Sequence, residues 1–362
     1  MCEFHLKMER VRELLDLFNL DALLLQRVSS FAWATCGANP ATVTSETFGS
    51  ASLLITKKDH YLITAKTEES RLVEEEGLQE QGWEFVTYPW YESDALLRLT
   101  NGQALGADSV YPGAVDLSEP IARLRAQLMP PELARMKQLS ADCAGAMGET
   151  MHAIQPGMSE HEIASCLAAA VEKRGIRPVV NLVGTDQRIF TYRHPLPTAK
   201  KLEKFALVVL CGRRQGLVSN LTRLVHFGPI PADLQARARD VAEIDTALIS
   251  SSVPGRTLGE VFAIAQDAYS KKGYSDQWRI LHQGGIAGYE PREFTAVPGS
   301  PEVIQQGHCL AWNPTLTGVK SEDTIYIGQN GIEILTQVVD WPTLSIAAAD
   351  GSVYLRPAIL EK

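Results

Sequence analysis

The proline pair Pro130-Pro131 restricts the fold of this chain more than any other local feature. Proline has no backbone N–H to donate and a fixed φ angle, so two in a row interrupt regular structure and fit best in the first turn of a helix. The next segment, ELARMKQLSADCAGAMGETMHAI, has the apolar spacing of a long amphipathic helix. A chain of 362 residues is long enough to bury two cores. We therefore predict two domains, residues 1–128 and residues 129–362.

The residues before the proline pair alternate between helical and strand-like patterns. LKMERVRELLDLF has the apolar spacing of a helix, and DALLLQ follows as a short buried strand. ASLLIT and HYLITA predict two further strands around a polar turn. TEESRLVEEEGL then predicts a helix, and WEFVTYPW predicts another strand. This alternation is typical of an α/β domain.

The second half begins with two predicted helices and continues mainly as strands. The long helix ends near Pro156, and Ser159 with Glu162 gives the capping-box pattern at the start of the next helix. Gly175 is suitably placed to end that helix. From about residue 178 strands and turns dominate, interrupted by predicted helices near 231–250 and 257–272. The fold class is therefore α/β, or α+β in this half.

Composition excludes several classes of function. The formal net charge is −9 without long runs of one sign, which argues against a nucleic-acid or anionic-membrane surface. No apolar run approaches the roughly 20 residues that span a bilayer, and the first residues lack the apolar region of a signal peptide. The six cysteines are scattered, with no CxxC pair. We expect a cytoplasmic protein with reduced thiols.

The landmarks of the second half follow one another in the order of a known family. His194 lies in the segment HPLPT, the strand-like KKLEKFALVVL follows, and Asn220-Leu221-Thr222-Arg223 comes next. The later landmarks are HQGGIAGYEPRE from His282, Trp312-Asn313-Pro314, Ser321-Glu322-Asp323-Thr324 and EILTQ. With the opening helix pair, they resemble the pita-bread fold of family M24, which includes Xaa-Pro dipeptidase, aminopeptidase P and creatinase.

The first half resembles the N-terminal domain of creatinase and aminopeptidase P, through FAWATCGAN followed by the ASLLIT and HYLITA pair. The resemblance implies a creatinase-like N-terminal α/β domain followed by a pita-bread domain. It also implies a homodimer, because relatives with this N-terminal domain often pair.

The family's metal ligands map onto altered residues in this chain. In the family, two aspartates, one histidine and two glutamates hold a pair of divalent cations that activate a water. The matching positions, in order, are Cys211, Asn220, His282, Asn313 and Glu322. The hairpin from Cys211 to Asn220 is two residues shorter than in the family, and an even deletion keeps both side chains on one face. Hard cations prefer carboxylate oxygens, so we expect no metal and no other cofactor.

Two metal-bound alternatives remain open from the sequence. A single Zn²⁺ on Cys211, His282 and Glu322 would have three protein ligands and an open position. A Mn²⁺ or Co²⁺ pair would give an Xaa-Pro dipeptidase with an atypical metal site. Cys211 also has two interpretations, an inert buried thiol or a nucleophile activated by a neighbouring cation.

Creatinase is the known metal-free enzyme of the superfamily, and the resemblance to it implies a histidine that acts as acid and base with carboxylate support. The predicted catalytic residues are His282, Glu290, Glu322 and His194. A histidine of near-neutral pKa beside a carboxylate is a suitable general base. The predicted substrate-binding residues are Tyr289, Arg292, Asn313, Asn220 and Cys211.

The leading hypothesis is a metal-independent hydrolase of a small amide or C–N bond, with a small molecule or short peptide as substrate and His282 as acid and base. One alternative is a pita-bread module that binds a ligand without catalysis, with His282 and His194 as ordinary polar residues. The other is the metal-dependent Xaa-Pro dipeptidase. Fold resemblance alone does not choose between them.

Overall fold

The structure is a computed structural model, and it describes residues 2–92 and 95–362. Contacts divide the chain into two compact units. The first unit runs to Arg125 and includes Gln215–Leu217, and the second comprises Ala126–Arg214 and Val218–Lys362. In the described part of the chain, no helix has the length and apolar surface needed to cross a bilayer.

The first unit is built around a mixed six-stranded sheet. Its helices are α1 (Glu3–Leu17), α2 (Val28–Ala34), α3 (Glu69–Glu74), α4 (Ala95–Thr100) and α5 (Ser118–Ala126). Its strands are β1 (Ala22–Arg27), β2 (Phe48–Thr56), β3 (His60–Ala65), β4 (Glu84–Tyr88), β5 (Leu105–Ala107) and β6 (Val115–Asp116). The strand order is β4-β3-β2-β1-β5-β6, with β2 antiparallel to both of its neighbours.

The predicted strands of this unit are confirmed, but the helix predicted over TEESRLVEEEGL is much shorter than expected. It covers only Glu69–Glu74. Acidic side chains at Glu74, Glu75 and Glu76 oppose the negative end of the helix dipole. Gly77 then takes a φ of 66°, which suits the end of a helix and not its interior.

The second unit contains the longer helices. They are α6 (Pro130–Ala153), α7 (Glu160–Glu172), α8 (Gln187–Thr191), α9 (Ala232–Ser251) and α10 (Leu258–Lys271). The prolines occupy the first turn of α6, as predicted. The capping box before α7 is also confirmed, because the Ser159 hydroxyl accepts from the Glu162 N–H and the Glu162 carboxylate accepts from the Ser159 N–H.

The strands of the second unit form two main sheets. They are β7 (Arg177–Thr185), β8 (Phe205–Arg214), β9 (Leu217–His226), β10 (Gly284–Ala287), β11 (Phe294–Thr295), β12 (Cys309–Trp312), β13 (Thr315–Leu316), β14 (Val319–Lys320), β15 (Asp323–Gly328), β16 (Gly331–Ile334), β17 (Thr343–Ala347), β18 (Val353–Pro357) and β19 (Leu360–Glu361). One sheet has the order β11-β10-β12-β15-β16, and the other has the order β19-β9-β8-β7. EILTQ is followed by the β17–β18 hairpin and by β19.

The turn between β8 and β9 fixes which residues of that hairpin share a face. Gln215 and Gly216 form the turn with φ angles of 49° and 78°, as in a two-residue type I′ turn. On one face the Ser219 hydroxyl lies 2.9 Å from that of Ser140 in α6. Because side chains alternate along a strand, Cys211 and Asn220 belong to the opposite face, and a two-residue turn sets them across from each other.

Alternation also separates the two faces of β12 and β15. Leu310, Trp312, Ile325 and Ile327 pack into a core with residues of α9 and α10. The intervening positions point away from that core. Glu322 immediately precedes β15, and Asn313 immediately follows β12. Both continue the set of positions that point away from the core.

Candidate functional site

Strand pairing brings the functional segments together around Glu322. Trp312 pairs with Asp323, so the next residue, Asn313, comes opposite Glu322. The Asn313 N–H donates to the carbonyl of Gln283 at 3.0 Å, which joins the His282 segment to the same place. Thr222 of β9 forms an isolated bridge with Glu322. We call Glu322, Asn313, Asn220, Cys211, His282, Lys320 and Arg292 the candidate site.

The Glu322 carboxylate is bound on both oxygens by buried partners. Its Oε1 accepts from Arg292 Nη2 at 3.1 Å, and its Oε2 accepts from Lys320 Nζ at 2.6 Å. The Thr222 hydroxyl also donates to Oε2 at 2.6 Å. Burial alone would raise the pKa of Glu322, but the charges of Lys320 and Arg292 outweigh it and lower the pKa to about 2. The carboxylate is therefore ionised at neutral pH.

Lys320 is the member of this site that the sequence analysis missed. Its side chain is only 5% exposed, although buried lysines are rare unless they are paired. It stands two residues before Glu322, and residues two apart in an extended segment lie on the same face. This spacing of two residues from Glu322 was the sequence signal that could have identified Lys320. Arg292 was predicted to bind substrate, but the structure shows it paired with Glu322.

Asn220 and Asn313 contribute buried amides to the candidate site. Asn220 is fully buried, and within the described residues neither its Oδ1 nor its Nδ2 has a hydrogen-bond partner. Asn313 is 2% exposed, and its Oδ1 likewise has no partner there. The backbone of Asn220 is held by Thr324, whose hydroxyl exchanges hydrogen bonds with the Asn220 N–H and C=O. The backbones of Asn220 and Asn313 are thus held in place, while these buried amide atoms have no protein partner among the described residues.

Cys211 is buried, and its thiol has little nucleophilic character. Burial raises the pKa of the Cys211 thiol to about 12, and the charge of Glu322 raises it further, against the opposing effect of Arg292. A thiol with that pKa stays protonated at neutral pH, and the thiolate is the reactive form. Of the two interpretations of Cys211, the geometry favours the inert thiol.

His282 and His194 are neighbours, at two positions that remain partly open to solvent. Their ring centroids are 6.3 Å apart. Although the His282 ring is open on one side, the surrounding protein lowers its pKa, and with the charge of Arg292 the value falls to about 4. Burial by nearby atoms also lowers the pKa of His194, and Lys320 adds to the effect. The expected near-neutral pKa of His282 is therefore wrong, because burial lowers it and the charges of Arg292 and Lys320 add to that effect against the carboxylate of Glu322.

Glu290 and Tyr289 have partners other than those predicted. The Glu290 carboxylate lies 3.6 Å from a guanidinium nitrogen of Arg213. The carboxylate that acts on the pKa of His282 is that of Glu322. Tyr289 is fully buried, and its hydroxyl donates to Glu132 of α6 at 2.7 Å. That hydroxyl is engaged in the packing of α6, so the geometry gives no support to a substrate-binding role.

Metal-ligating side chains are not assembled as either metal-bound alternative requires. Among residues 2–92 and 95–362, no group of three or more histidine, cysteine, aspartate or glutamate side chains could hold a metal ion. The Zn²⁺ alternative needed Cys211, His282 and Glu322 together, and the structure does not bring them into one ligand set. Both Glu322 oxygens are instead hydrogen-bonded to protein donors.

A separate buried ionic network begins at Asp323, the residue that follows Glu322. Asp323 accepts from Arg223 at 2.8 Å and from Arg356 of β18 at 2.7 Å. Arg356 also pairs with Asp245 of α9 at 2.6 Å. All four side chains are at most 2% exposed. Strand alternation thus directs Glu322 into the candidate site and Asp323 into this buried network.

A model of metallopeptidase family M24 matches residues 134–337, more than half of the chain. An uncharacterised peptidase of Staphylococcus epidermidis is 27% identical over 238 residues, covering 61% of this chain and 66% of that protein. An Xaa-Pro dipeptidase of Lactobacillus helveticus is 26% identical over 235 residues, covering 61% and 62%. The matched region spans slightly less than two thirds of each relative.

Among solved structures, the prolidase of Pyrococcus horikoshii aligns with a TM-score of 0.79 and 20% identity. The alignment covers 92% of this chain and 98% of the prolidase. At that identity the likeness shows the fold alone. The region matched by the family model, residues 134–337, contains every member of the candidate site and His194.

Proposed function

This chain belongs to metallopeptidase family M24, and we propose that it is a metal-independent member that hydrolyses an amide or another C–N bond of a small molecule. The general character of the chain is that of an Xaa-Pro peptidase. The observation that carries the proposal is the pairing of Glu322 with both Lys320 and Arg292. These cationic side chains supply positive charge where the family uses metal ions.

The donor set of the candidate site does not fit a pair of divalent cations. Two divalent ions carry four positive charges, and the family balances them with four carboxylates. Here Glu322 is the one carboxylate at the five mapped positions, and Lys320 with Arg292 already more than neutralises it. Asn220 and Asn313 can offer only neutral amide oxygens. A further cation would be repelled by both cationic side chains.

The chemistry we propose uses His282 as the base. With a pKa of about 4, the imidazole is unprotonated at neutral pH and can accept a proton from water. The resulting hydroxide adds to the carbonyl carbon, and Lys320 and Arg292 stabilise the negative charge that develops on its oxygen. When the C–N bond breaks, the imidazolium returns its proton to the departing amine. The products are a carboxylic acid and an amine, and no redox step is involved.

Turnover measured with and without a chelator tests this proposal. Purified protein would be incubated with N-carbamoylglycine, N-acetylproline and Gly-Pro, and amine release would be followed by mass spectrometry. We expect turnover of at least one compound that EDTA does not change. His282→Ala should reduce it at least 100-fold, since general-base catalysis contributes roughly 10²–10⁴. His161→Ala, on the exposed side of α7, is the matched control and should retain activity.

The same assay can overturn the proposal. If EDTA abolishes turnover and Mn²⁺, Co²⁺ or Zn²⁺ restores it, the protein is a metal-dependent Xaa-Pro dipeptidase and the metal-free mechanism is wrong. Full activity in His282→Ala would exclude His282 as the base.

A second candidate function is ligand binding without catalysis. The low pKa of His282 makes the imidazole a weak base, and Glu322 is fixed by three donors. Both observations are compatible with a site that only binds. Saturable binding of a small molecule, with no product from any compound in the panel, would favour this function over hydrolysis.

The remaining expectations stay predictions. A reducing compartment such as the cytoplasm is expected from the scattered cysteines of the sequence, which form no CxxC pair. A homodimer is expected from the family resemblance, and light scattering coupled to gel filtration would measure it. The domain boundary predicted after residue 128 can be tested by expressing residues 129–362 alone.

A further inference from the structure

The residue that follows His282 is fully buried, although His282 itself reaches solvent. This residue is Gln283, and a buried amide is stable only when its polar atoms are hydrogen-bonded. The Gln283 Nε2 donates to the carbonyl oxygens of Leu281 at 2.6 Å and of Trp278 at 3.1 Å. Its Oε1 accepts from the Tyr269 hydroxyl at 2.8 Å. The Gln283 side chain therefore joins α10 to the loop segment that leads into His282.

The neighbours of this amide allow it only one orientation. If the Gln283 oxygen faced the two carbonyl groups, acceptors would lie against acceptors, so the nitrogen must lie there and the oxygen must face Tyr269. The Tyr269 hydroxyl in turn accepts from the Thr315 N–H at 3.0 Å, which leaves its own proton for an acceptor. The Gln283 oxygen lies closer to that hydroxyl, at 2.8 Å, than the Thr315 carbonyl does, at 3.0 Å. Tyr269 is fully buried and is therefore a fixed anchor for Gln283.

The backbone of Gln283 is held as well as its side chain. Its carbonyl accepts from the Asn313 N–H at 3.0 Å. The next residue, Gly284, begins β10 and pairs with Trp312 of β12. The main chain after His282 is thus part of the sheet, while the Gln283 amide holds the carbonyl groups of the loop before it. His282 lies at the junction of these two restraints.

From these contacts we propose that Gln283, anchored by Tyr269, is a positioning residue that fixes where the His282 imidazole lies in the candidate site. A histidine side chain has only two rotatable torsions, so its backbone largely determines where its ring can lie. A general base works only within hydrogen-bond reach of the proton that it removes, and a displacement of about 1 Å can cost roughly 100-fold in rate. The inference rests on the proposed function, because it names the residue that positions the proposed base.

Steady-state kinetics of Gln283→Met tests the inference. Methionine keeps the length and the approximate volume of the side chain but cannot make these hydrogen bonds. With whichever compound of the panel the wild type hydrolyses, we expect kcat to fall roughly tenfold or more while KM changes less than about twofold, because the base is misplaced for the chemical step. Gln81→Met removes an amide that bonds to the Thr35 carbonyl and the Trp83 N–H in the first unit, and it should retain the wild-type kcat. A wild-type kcat in Gln283→Met would overturn the inference.

A second variant, Tyr269→Phe, tests the anchor without removing the amide. It keeps the aromatic ring in the core and deletes the hydroxyl that donates to Gln283. We expect kcat to fall again with little change in KM. Tyr274→Phe is the matched control, since it deletes a hydroxyl that bonds to Asp240, and it should behave as the wild type does. If circular dichroism shows that Gln283→Met is unfolded, Tyr269→Phe decides, and a wild-type kcat in that variant would count against the inference.

The position of the imidazole can also be measured without turnover, by NMR of the full-length protein with histidine labelled with ¹³C at Cε1. The signal of His282 is the one that is missing from His282→Ala. We expect one sharp His282 signal in the wild type and a broadened or doubled one in Gln283→Met, because the ring then samples more than one position. The signal of the buried His308 should stay unchanged, which separates local displacement from general loosening of the fold.

The NMR measurement separates this inference from the proposed function. An unchanged His282 signal in Gln283→Met, or a doubled signal in the wild type, would overturn the positioning role even if the protein hydrolyses a compound of the panel. If no compound is hydrolysed, the proposed function fails, and the His282 signal still decides whether Gln283 fixes the ring.

Discussion

The carboxylate of Glu322 lies between two cationic side chains, and all three groups are inside the protein. Taking charges out of water is costly, and a buried ion pair repays that cost only with good geometry and additional hydrogen bonds. Here Thr222 supplies the additional bond, and no oxygen of the carboxylate is left unbound. Lys320 and Arg292 are therefore largely buried and depend on Glu322 as their counter-ion. Removal of Glu322 would leave both cations without it.

His308 gives the clearest dependence of stability on pH at the scale of a single residue. It is 3% exposed, and its Nδ1 accepts a hydrogen bond from the Gln305 N–H, which requires an unprotonated nitrogen. Burial lowers the pKa of His308 from 6.5 to about 4. The unfolded state therefore binds more protons between these values, and stability present above pH 6.5 is lost as the pH falls toward 4.

We predict that His308→Asn weakens this pH dependence. Its amide oxygen can still accept from Gln305, but the side chain does not titrate. Urea denaturation at pH 7 and pH 5 should show that the variant loses about 2 kcal/mol less than the wild type on acidification. His161→Asn, on an exposed position, should behave as the wild type does. An unchanged loss in His308→Asn would show that His308 is not the group responsible.

The candidate site was predictable in part, and the reason differs from residue to residue. Strand alternation and a recognisable order of motifs were enough to propose Cys211, Asn220, Asn313 and Glu322 as neighbours. The same alternation places Lys320 on the face of Glu322, but we did not predict it from the sequence. The pairing of Arg292 with Glu322 spans 30 positions of sequence and depends on the path of the chain between them, which no local pattern encodes. The pKa of His282 was misjudged because its burial, which lowers the pKa most, and its closeness to Arg292 both depend on the folded chain.

Among the secondary-structure elements, the β8–β9 hairpin shows how a turn determines the site. Both turn residues have positive φ angles, 49° at Gln215 and 78° at Gly216. Only a turn of this kind matches the twist of two directly connected strands. The position of Cys211 across from Asn220 follows from this two-residue turn.

We predict that the same substitution has opposite effects at two glycines. Gly216→Ala places a side chain at a positive φ and should destabilise the protein by about 1 kcal/mol. Gly145→Ala, at an exposed position of α6 with no heavy atom closer than 3.9 Å to the added Cβ, should stabilise it by roughly 0.5–1 kcal/mol. Urea denaturation of both variants measures the difference. Two shifts of the same sign would contradict the assigned turn.

The β17–β18 hairpin is an element that the sequence analysis did not anticipate. Its inner residue Arg356 is fully buried between Asp245 and Asp323. The outer residues Val353 and Leu355 are 63% and 49% exposed. The alternation is regular, but the hairpin lies beyond residue 337, where the matched family pattern ends, so its role could not be transferred.

We predict that Arg356→Met destabilises the protein by roughly 3–5 kcal/mol, because it leaves Asp245 without its cation and Asp323 with Arg223 alone. The double variant Arg356→Met/Asp245→Asn should recover part of that loss, since it removes the stranded charge as well. Val353→Thr, on the outer face of the same strand, should change stability by less than about 0.5 kcal/mol. The measurement is urea denaturation. A cost for Arg356→Met as small as that of Val353→Thr would mean that the network contributes little.

At the scale of the whole molecule, the chain has the fold of family M24, and its candidate site pairs Glu322 with Lys320 and Arg292. Thr222, Arg223 and Asp323 hold β9 against β15. The start of α6, the capping box of α7 and the strands of the first unit were legible from the sequence because they depend on local chemistry. Which ions or molecules the site accepts depends on the sum of charges from distant segments. Membership of the family therefore does not by itself identify what this protein binds or acts on.

The charge balance of the candidate site also predicts how metal ions affect the stability of the complete chain. The substitutions Cys211→Asp, Asn220→Asp and Asn313→Glu would restore four carboxylates together with Glu322, and Arg292→Gln would free one Glu322 oxygen. In this variant the carboxylates repel one another until cations neutralise them, so Mn²⁺ should raise the melting temperature by several degrees. A ligand at roughly 100 times its Kd stabilises the folded state by about 2.7 kcal/mol. The wild type and an Asn330→Asp control, which adds a charge at an exposed turn, should show no shift, because Lys320 and Arg292 exclude the ion. A saturable Mn²⁺-dependent rise in the wild type would mean that these two cations do not prevent metal binding.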